Sequence, residues 1–236
     1  MFVKLNFTKN TKPIHIDNYI DALNSYVHRC LGKDNKYHDS FSGYNVSSPQ
    51  GGKLNTNTGE LSFDNGMYFI LSFPDKNSEI FSDLTKGIIN GVEFGYGMKF
   101  VGVEILNINV GKEYDWIQTR CPVLLLSKKN NRGLRYDDSE FIEELTNRTI
   151  KKLKHYDENI NLNGFKITII NTGKNKIKKV KIHNYNHKCN MIRMKIEGDK
   201  KTRKILYELG LGNLTGSGFG SLQICTKQSF TNTYET

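Results

Sequence analysis

Two stretches of this 236-residue chain carry the same succession of hydropathy patterns: strand, helix, strand, strand, helix, strand. That repetition leaves few ways to bury both sets of apolar faces. In the first stretch Val3, Leu5 and Phe7 alternate with Lys4 and Asn6, the period of a half-buried strand. Asp17 stands where a cap is needed for a helix whose apolar stripe runs Ile16, Ile20, Leu23, Val27, Leu31, and Gly32 ends it. Strands are predicted over 43–56 and 60–73 around the turn Asn57-Thr58-Gly59, with Met67, Phe69, Leu71 and Phe73 on one face. Asp75 and Ser78 open a second helix with Ile80, Leu84 and Ile88 on one side and Gly91 at its end; a strand-rich stretch over 92–110 completes the unit.

The second stretch predicts a strand near 119–127 and a helix from Asp137 to Tyr156, with acids in its first turn and Arg148 to Lys154 at its end, as the helix dipole favours. Strands follow near 165–171 and at either 177–184 or 191–197, then a helix capped by Asp199 and running through Leu209, then a strand from Leu222 to Thr226. Two such units predict an α+β fold of tandem ferredoxin-like (βαββαβ, RRM-like) domains with a C-terminal glycine-rich loop. The N-terminal domain is placed at 1–112 and the C-terminal one at 118–236, with a linker within Gly111 to Gln118 whose Trp116 is expected to pack between the halves. Each half is long enough to bury a core without disulfides or a structural metal. The tail after Gln228 is polar and expected to fray.

Charge is divided unevenly between the halves. Residues 1–118 hold 11 Lys and Arg against 13 Asp and Glu, whereas residues 119–236 hold 23 against 11, for a chain total of +10. A basic second half is the footprint of a polyanionic partner. Its cations fall in three groups: Lys151, Lys152 and Lys154; Lys174, Lys176, Lys178, Lys179 and Lys181; and Lys200, Lys201, Arg203 and Lys204. A solvated face explains any one of them, but three without matching acids point to phosphate. A mean hydropathy of −0.54 and the lack of an apolar run near ~20 residues argue against helical membrane insertion. The start, MFVKLNFTKN, has no signal-peptide pattern. Cys30, Cys121, Cys189 and Cys225 form no C-x-x-C pair and read as reduced thiols of a cytoplasmic protein. His183, His187 and Cys189 offer three ligands where a structural zinc needs four, so neither metal nor cofactor is expected.

The segment Gly210-Leu211-Gly212-Asn213-Leu214-Thr215-Gly216-Ser217-Gly218-Phe219-Gly220 has five glycines in eleven residues. Glycine permits positive φ and close backbone approach, and successive amides in such a loop can form an anion-binding concavity. It follows a helix and precedes a strand, the reverse of a P-loop or dinucleotide fingerprint, and lacks the Gly-Lys-Ser/Thr ending; nucleotide hydrolysis is not predicted.

Gly-hydrophobic-Gly, five residues, then Gly-hydrophobic-Gly, after the basic helix Lys200 to Leu209, resembles the CRISPR-associated endoribonucleases that process precursor CRISPR RNA, the sixth family of the Cas series within the RAMP superfamily. Residue by residue the resemblance rests on this loop and on Lys36-Tyr37-His38-Asp39 ahead of Tyr44-Asn45-Val46-Ser47-Ser48, where the family keeps a catalytic histidine followed by an acid and then a strand. It implies an antiviral-defence nuclease, metal-independent, in which the ribose 2′-hydroxyl attacks the phosphate and leaves a 2′,3′-cyclic phosphate and a 5′-hydroxyl. His38 is then the catalytic candidate, as base or as acid. Tyr26, or in another register Tyr19, and His28 are candidates for the complementary proton transfer or for holding the ribose. Lys53 stands nearest to the lysine some members carry, in a position to stabilise the phosphorane. The resemblance also implies RNA binding by Gly210, Gly212, Asn213, Thr215, Ser217, Gly218 and Gly220 of the loop, Lys200, Lys201, Arg203 and Lys204 of the helix before it, and Lys176, Lys178 and Lys179 of a basic hairpin. Implied partners are CRISPR repeat RNA, as a stem or a single strand, and subunits of a CRISPR effector complex, with the chain a monomer or homodimer and no cofactor. The alternatives are a non-catalytic RNA-binding RAMP subunit of such a complex and a general RNA-recognition module.

Overall fold

The computed structural model describes residues 1–32, 37, 42–182 and 185–226. The first unit comprises β1 (Phe2–Phe7), β2 (Ile14–His15), α1 (Tyr19–Leu31), β3 (Asn45–Val46), β4 (Lys53–Asn55), β5 (Glu60–Ser62), β6 (Met67–Ser72), α2 (Glu79–Ile89) and β7 (Phe100–Ile105). Its main sheet has the order β3-β6-β1-β7, every pair antiparallel. The alternation in β1 sets Val3, Leu5 and Phe7 opposite Leu71, Phe69 and Met67, and both rows are buried beneath Leu23, Tyr26 and Val27 of α1 and Ile80 and Leu84 of α2. Each such side chain is worth roughly 1.5–3 kcal/mol of burial, so this face holds the unit together.

The 43–56 strand is shorter than predicted. Asn45 and Val46 pair with β6 as a strand and Gln50 adds a single bridge to Tyr68, while β4 and β5 leave the sheet and join β2 in a separate three-stranded sheet, β2-β5-β4. The cause is composition: β4 is exposed throughout, and in the whole hairpin only Leu61 is buried. Asn18, not Asp17, precedes α1, because the backbone turns over His15 and the Asp17 amide donates to His15 Nδ1 at 3.2 Å.

The second unit comprises β8 (Tyr114–Thr119), α3 (Phe141–Tyr156), β9 (Lys166–Ile169), β10 (Lys176–Ile182), β11 (Tyr185–Met191), β12 (Arg193–Glu197), α4 (Lys200–Leu209) and β13 (Leu222–Cys225). Its sheet, β13-β8-β12-β9, has the same connectivity as the first: counted by chain order within each sheet, the strands read 4-1-3-2. This is the ferredoxin-like pattern, present twice. Of the two candidate third strands, 191–197 supplies the sheet strand β12, and 177–184 supplies β10, which pairs with β11 as a separate basic ribbon.

The strand that opens this unit is β8, not 119–127. In β8 Asp115, Ile117 and Thr119 alternate inward, whereas Val123, Leu124 and Leu125 are all buried, which a strand with one open face cannot achieve. Pro122 also lacks the N–H a ladder needs, and the segment is held by single bridges from Val123 to Asn190 and Leu124 to Asn213. Trp116 therefore belongs to the second sheet, edge-on to Tyr114 at 6.1 Å, rather than to a spacer between halves. The start of α3 moves to Phe141 because Asp137 and Asp138 are engaged by Arg135 in the preceding turn. Asp199 caps α4 as predicted, accepting from the Thr202 amide at 3.0 Å.

The two units meet along β3 and β6 on one side and α4 with its following loop on the other. Ser48 donates from its amide and hydroxyl to Cys121 Sγ at 3.0 and 3.1 Å, and Ser72 Oγ to the Glu208 carbonyl at 3.1 Å. Burial pushes the Cys121 thiol above its ordinary range, and Cys30 and Cys189 are buried thiols too. No helix among the described residues is long and apolar enough to cross a membrane.

Candidate nucleic-acid interface

A cleft of about 410 Å³ opens where the second unit faces the first. Arg148, Lys151, Lys152 and His155 form one wall; at i, i+3, i+4 and i+7 they share a face of α3. Gly212, Asn213, Leu214 and Thr215 form the other wall, and Ser42 of the first unit closes the end. No carboxylate lines it among the described residues. Arg148 is oriented by Glu144 at 3.0 Å and by the Leu126 carbonyl at 3.3 Å. Lys152 is buried, and its ammonium donates to the carbonyls of Leu209, Gly210 and Gly212 at 3.5, 3.0 and 3.2 Å and to Thr215 Oγ1 at 3.4 Å. Burial, and then the positive charge of Arg148, push its pKa down to about 7.

The glycine-rich loop is a wedge between the units rather than an open cradle of amides. The amides of Leu211, Asn213, Ser217 and Gly220 donate to carbonyls of Gly220, Leu124, Leu214 and Pro122. Asn45 of β3 donates to the Thr215 and Phe219 carbonyls at 2.9 and 2.8 Å, and Phe219 is fully buried with Ile20 and Leu124. Packing therefore explains the glycines. At Gly220 φ is +66°, and a Cβ would lie 1.9 Å from the Leu211 carbonyl oxygen. That atom is backbone and cannot swing away. Gly220→Ala is expected to destabilise the chain by well over the ~1–2 kcal/mol of a left-handed alanine, whereas Gly91→Ala, with φ +82° and nothing within 4 Å, costs only that conformational term. Urea unfolding of the two variants makes the comparison.

Of the predicted site residues, the structure brings Gly212, Asn213 and Thr215 to the cleft. Gly210, Ser217, Gly218 and Gly220 lie behind it, in the wedge. His38 falls outside the described residues. Tyr26 is fully buried in the first core, with ring centroids 5.5 Å from Phe7 and 5.2 Å from Phe94, and burial drives its phenol far above the ordinary range; it is a packing residue. Tyr19 is partly buried against the apolar cluster of Ile20, Leu124 and Phe219. His28 is half-buried on α1, and Lys53 is exposed on β4 with Asp64 3.9 Å away; neither is among the cleft's lining residues.

Lys200, Lys201 and Lys204 are exposed on the first turns of α4, and the helix spans ~15 Å, so they stand away from the loop at its other end. Arg203, grouped with them in sequence, points inward instead. It is fully buried, pairs with Asp115, and donates to the carbonyls of Gly198, Gly111 and Lys112 at 2.9, 2.9 and 3.0 Å. Its position three and four residues before the buried Leu206 and Tyr207 puts it on the helix's buried face. Lys176, Lys178 and Lys179 are exposed on β10. Arg148 and His155 were missed, and Lys151 and Lys152 were seen only as charges; the i, i+3, i+4, i+7 spacing was the available signal. Among the described residues no group of three His, Cys, Asp or Glu is arranged to hold a metal, and Cys189 is buried, its thiol pushed by burial to about 12.

Fold and cleft together define a protein of two ferredoxin-like units with a basic, acid-free cleft at their junction. Residues 108–224 match the family described as CRISPR associated protein Cas6, C-terminal. Among solved structures, the chain is similar to one described as "CRISPR associated protein Cas6", at 20% identity and a TM-score of 0.76 over 96% of this chain and 99% of that one. It is similar to the subject of "Characterization of a Cas6-related gene from Pyrococcus furiosus", at 19% and 0.79 over 97% and 99%. It is also similar to "An RAMP protein binding different RNA substrates", at 15% and 0.78 over 96% and 100%. No curated protein sequence matches it. Residues 108–224 thus carry the Cas6 C-terminal domain, on a fold shared along nearly the whole chain with structures described as Cas6.

Proposed function

We propose that this chain is an endoribonuclease that binds CRISPR repeat RNA and cuts precursor CRISPR RNA without a metal, by attack of the neighbouring 2′-hydroxyl. The observation that carries the reading is the cleft: Arg148 and Lys151 as cations, a histidine and the loop rim opposite, with no carboxylate among its described lining residues to repel phosphate. Arg148 and Lys151 take the RNA backbone there, and Lys176, Lys178 and Lys179 extend the basic surface along β10. His38 is the acid–base group. Its described neighbours support this: Ser42 lines the cleft, and the Tyr37 ring stacks edge-on against Tyr44 at 6.0 Å, while a Cβ on Gly216 of the loop would lie 3.1 Å from the Tyr44 hydroxyl. With Tyr26 sealed in the core, the complementary proton transfer falls to another group.

The 2′-hydroxyl is the nucleophile in this scheme, so one substitution in the RNA tests it. Repeat RNA incubated with the protein in EDTA is expected to be cut once per repeat, giving a cyclic phosphate end, while RNA with a single 2′-deoxy sugar at that position is bound but not cut. Cleavage of the deoxy substrate, or a strict need for added Mg²⁺, rejects the mechanism; tight binding with no cut makes the chain a non-catalytic subunit.

A further inference from the structure

Lys152 is the one cation of the cleft that faces away from it. Its ammonium is turned into the protein, onto the last carbonyls of α4 and the first of the loop. A helix C-terminus carries roughly half a negative charge, and α4 ends at Leu209, behind the loop wall of the cleft. Left alone, these carbonyls would oppose an incoming phosphate. An apolar side chain of similar length would fill the same space without burying a charge, so the ammonium's particular effect is electrostatic: it neutralises the helix end, and through Gly212 and Thr215 it ties both ends of the short rim segment to α3.

We infer that Lys152 is a positioning residue that converts the negative end of α4 into a phosphate-accepting rim, so that RNA binds on Arg148 and Lys151 while Lys152 itself does not touch it. This rests on the cleft being the RNA site proposed above. A direct contact and a positioning role separate by salt. Each phosphate contact on a single strand contributes a slope of about −0.7 to log K against log salt; a buried ammonium already paired with carbonyls displaces no counterion.

The test measures affinity for uncleavable repeat RNA, 2′-deoxy at the cut position, across a NaCl series below the Lys152 pKa of about 7, where its side chain is an ammonium, with folding followed by thermal melting. Lys151→Ala is expected to weaken binding and flatten the slope by ~0.7. Lys152→Met is expected to weaken binding about tenfold, the effect of leaving the partial negative charge at the end of α4 unneutralised beside the phosphate, at an unchanged slope. Lys152→Gln, which keeps two N–H donors, falls between. Wild-type affinity in a folded Lys152→Met protein overturns the inference, as does a slope flattened as in Lys151→Ala, which would make Lys152 a direct contact. Failure of both Lys152 variants to fold overturns it too, since Lys152 would then hold the fold rather than the rim. If Lys151→Ala changes nothing, or the wild type does not bind, it is the cleft assignment that fails.

Discussion

Arg203→Ala is expected to cost ~3–5 kcal/mol of stability, the range for removing one partner of a buried ion pair. For a chain of this size that lowers the melting midpoint by roughly 6–20 °C. The size follows from what is left behind. Asp115 is buried, and without the guanidinium it keeps only the Tyr207 hydroxyl at 2.8 Å and the Gly111 amide at 2.7 Å. The carbonyls of Gly198, Gly111 and Lys112 lose their donor at the same time. The guanidinium thus joins α4 to the segment that enters β8, and its removal uncouples helix from sheet. Lys204→Ala, one residue on and exposed, is expected to stay within ~0.5 kcal/mol. Changing both partners to apolar residues, Arg203→Met with Asp115→Leu, is expected to recover much of the loss, because no charge is then stranded. A midpoint shift under about 2 °C for Arg203→Ala, accompanied by lost RNA affinity, would return Arg203 to the RNA surface where its neighbours in sequence suggested it.

Arg203 also shows where the sequence was legible and where it was not. The periods of β1 and of α1 and α3 are written in alternations and stripes that face chiefly one core, so element type and order could be read directly. The strands that failed lack that one-sidedness. The run Val123-Leu124-Leu125 is buried on every side, and Lys53-Leu54-Asn55 on none; hydropathy marks both as extended without saying that neither joins the main sheets. Charge was legible as a sum and not as positions. Lys200, Lys201, Arg203 and Lys204 look alike in a run, but a helix turns each residue ~100° from the last, and only Arg203 meets a buried carboxylate 88 positions away. The cleft's cations lay in a group that also fits a dipole-matched helix end, and only the approach of the glycine loop, through pairings as distant as Asn45 with Phe219, makes their face a wall. The glycines also have a packing reason that hydropathy does not show: Gly220 against the Leu211 carbonyl and Gly212 against the Leu124 carbonyl leave no room for a side chain.

His38→Ala is expected to slow single-turnover cleavage of repeat RNA by ~10²–10⁴-fold, the loss of one acid–base group, with RNA affinity close to wild type. The two quantities separate chemistry from holding. Arg148 and Lys151 line the cleft and in the proposed reading act on affinity; a histidine that moves a proton at the 2′-hydroxyl or the leaving oxygen acts on the rate from the bound state. The pH profile then assigns its role. An unperturbed imidazole titrates near ~6.5; if His38 is the base, the wild-type rate rises through that pH and levels off, and if it is the acid, the rate falls as the pH passes above it. His38→Ala must lose that limb in either case. His155 lines the cleft and also carries an imidazole, so His155→Gln serves as the comparison: a limb that persists there and vanishes in His38→Ala belongs to His38. If instead His155→Gln removes the limb and His38→Ala cuts at the wild-type rate, the proton is moved from α3, and the catalytic group is part of the same wall that is proposed to hold the phosphate.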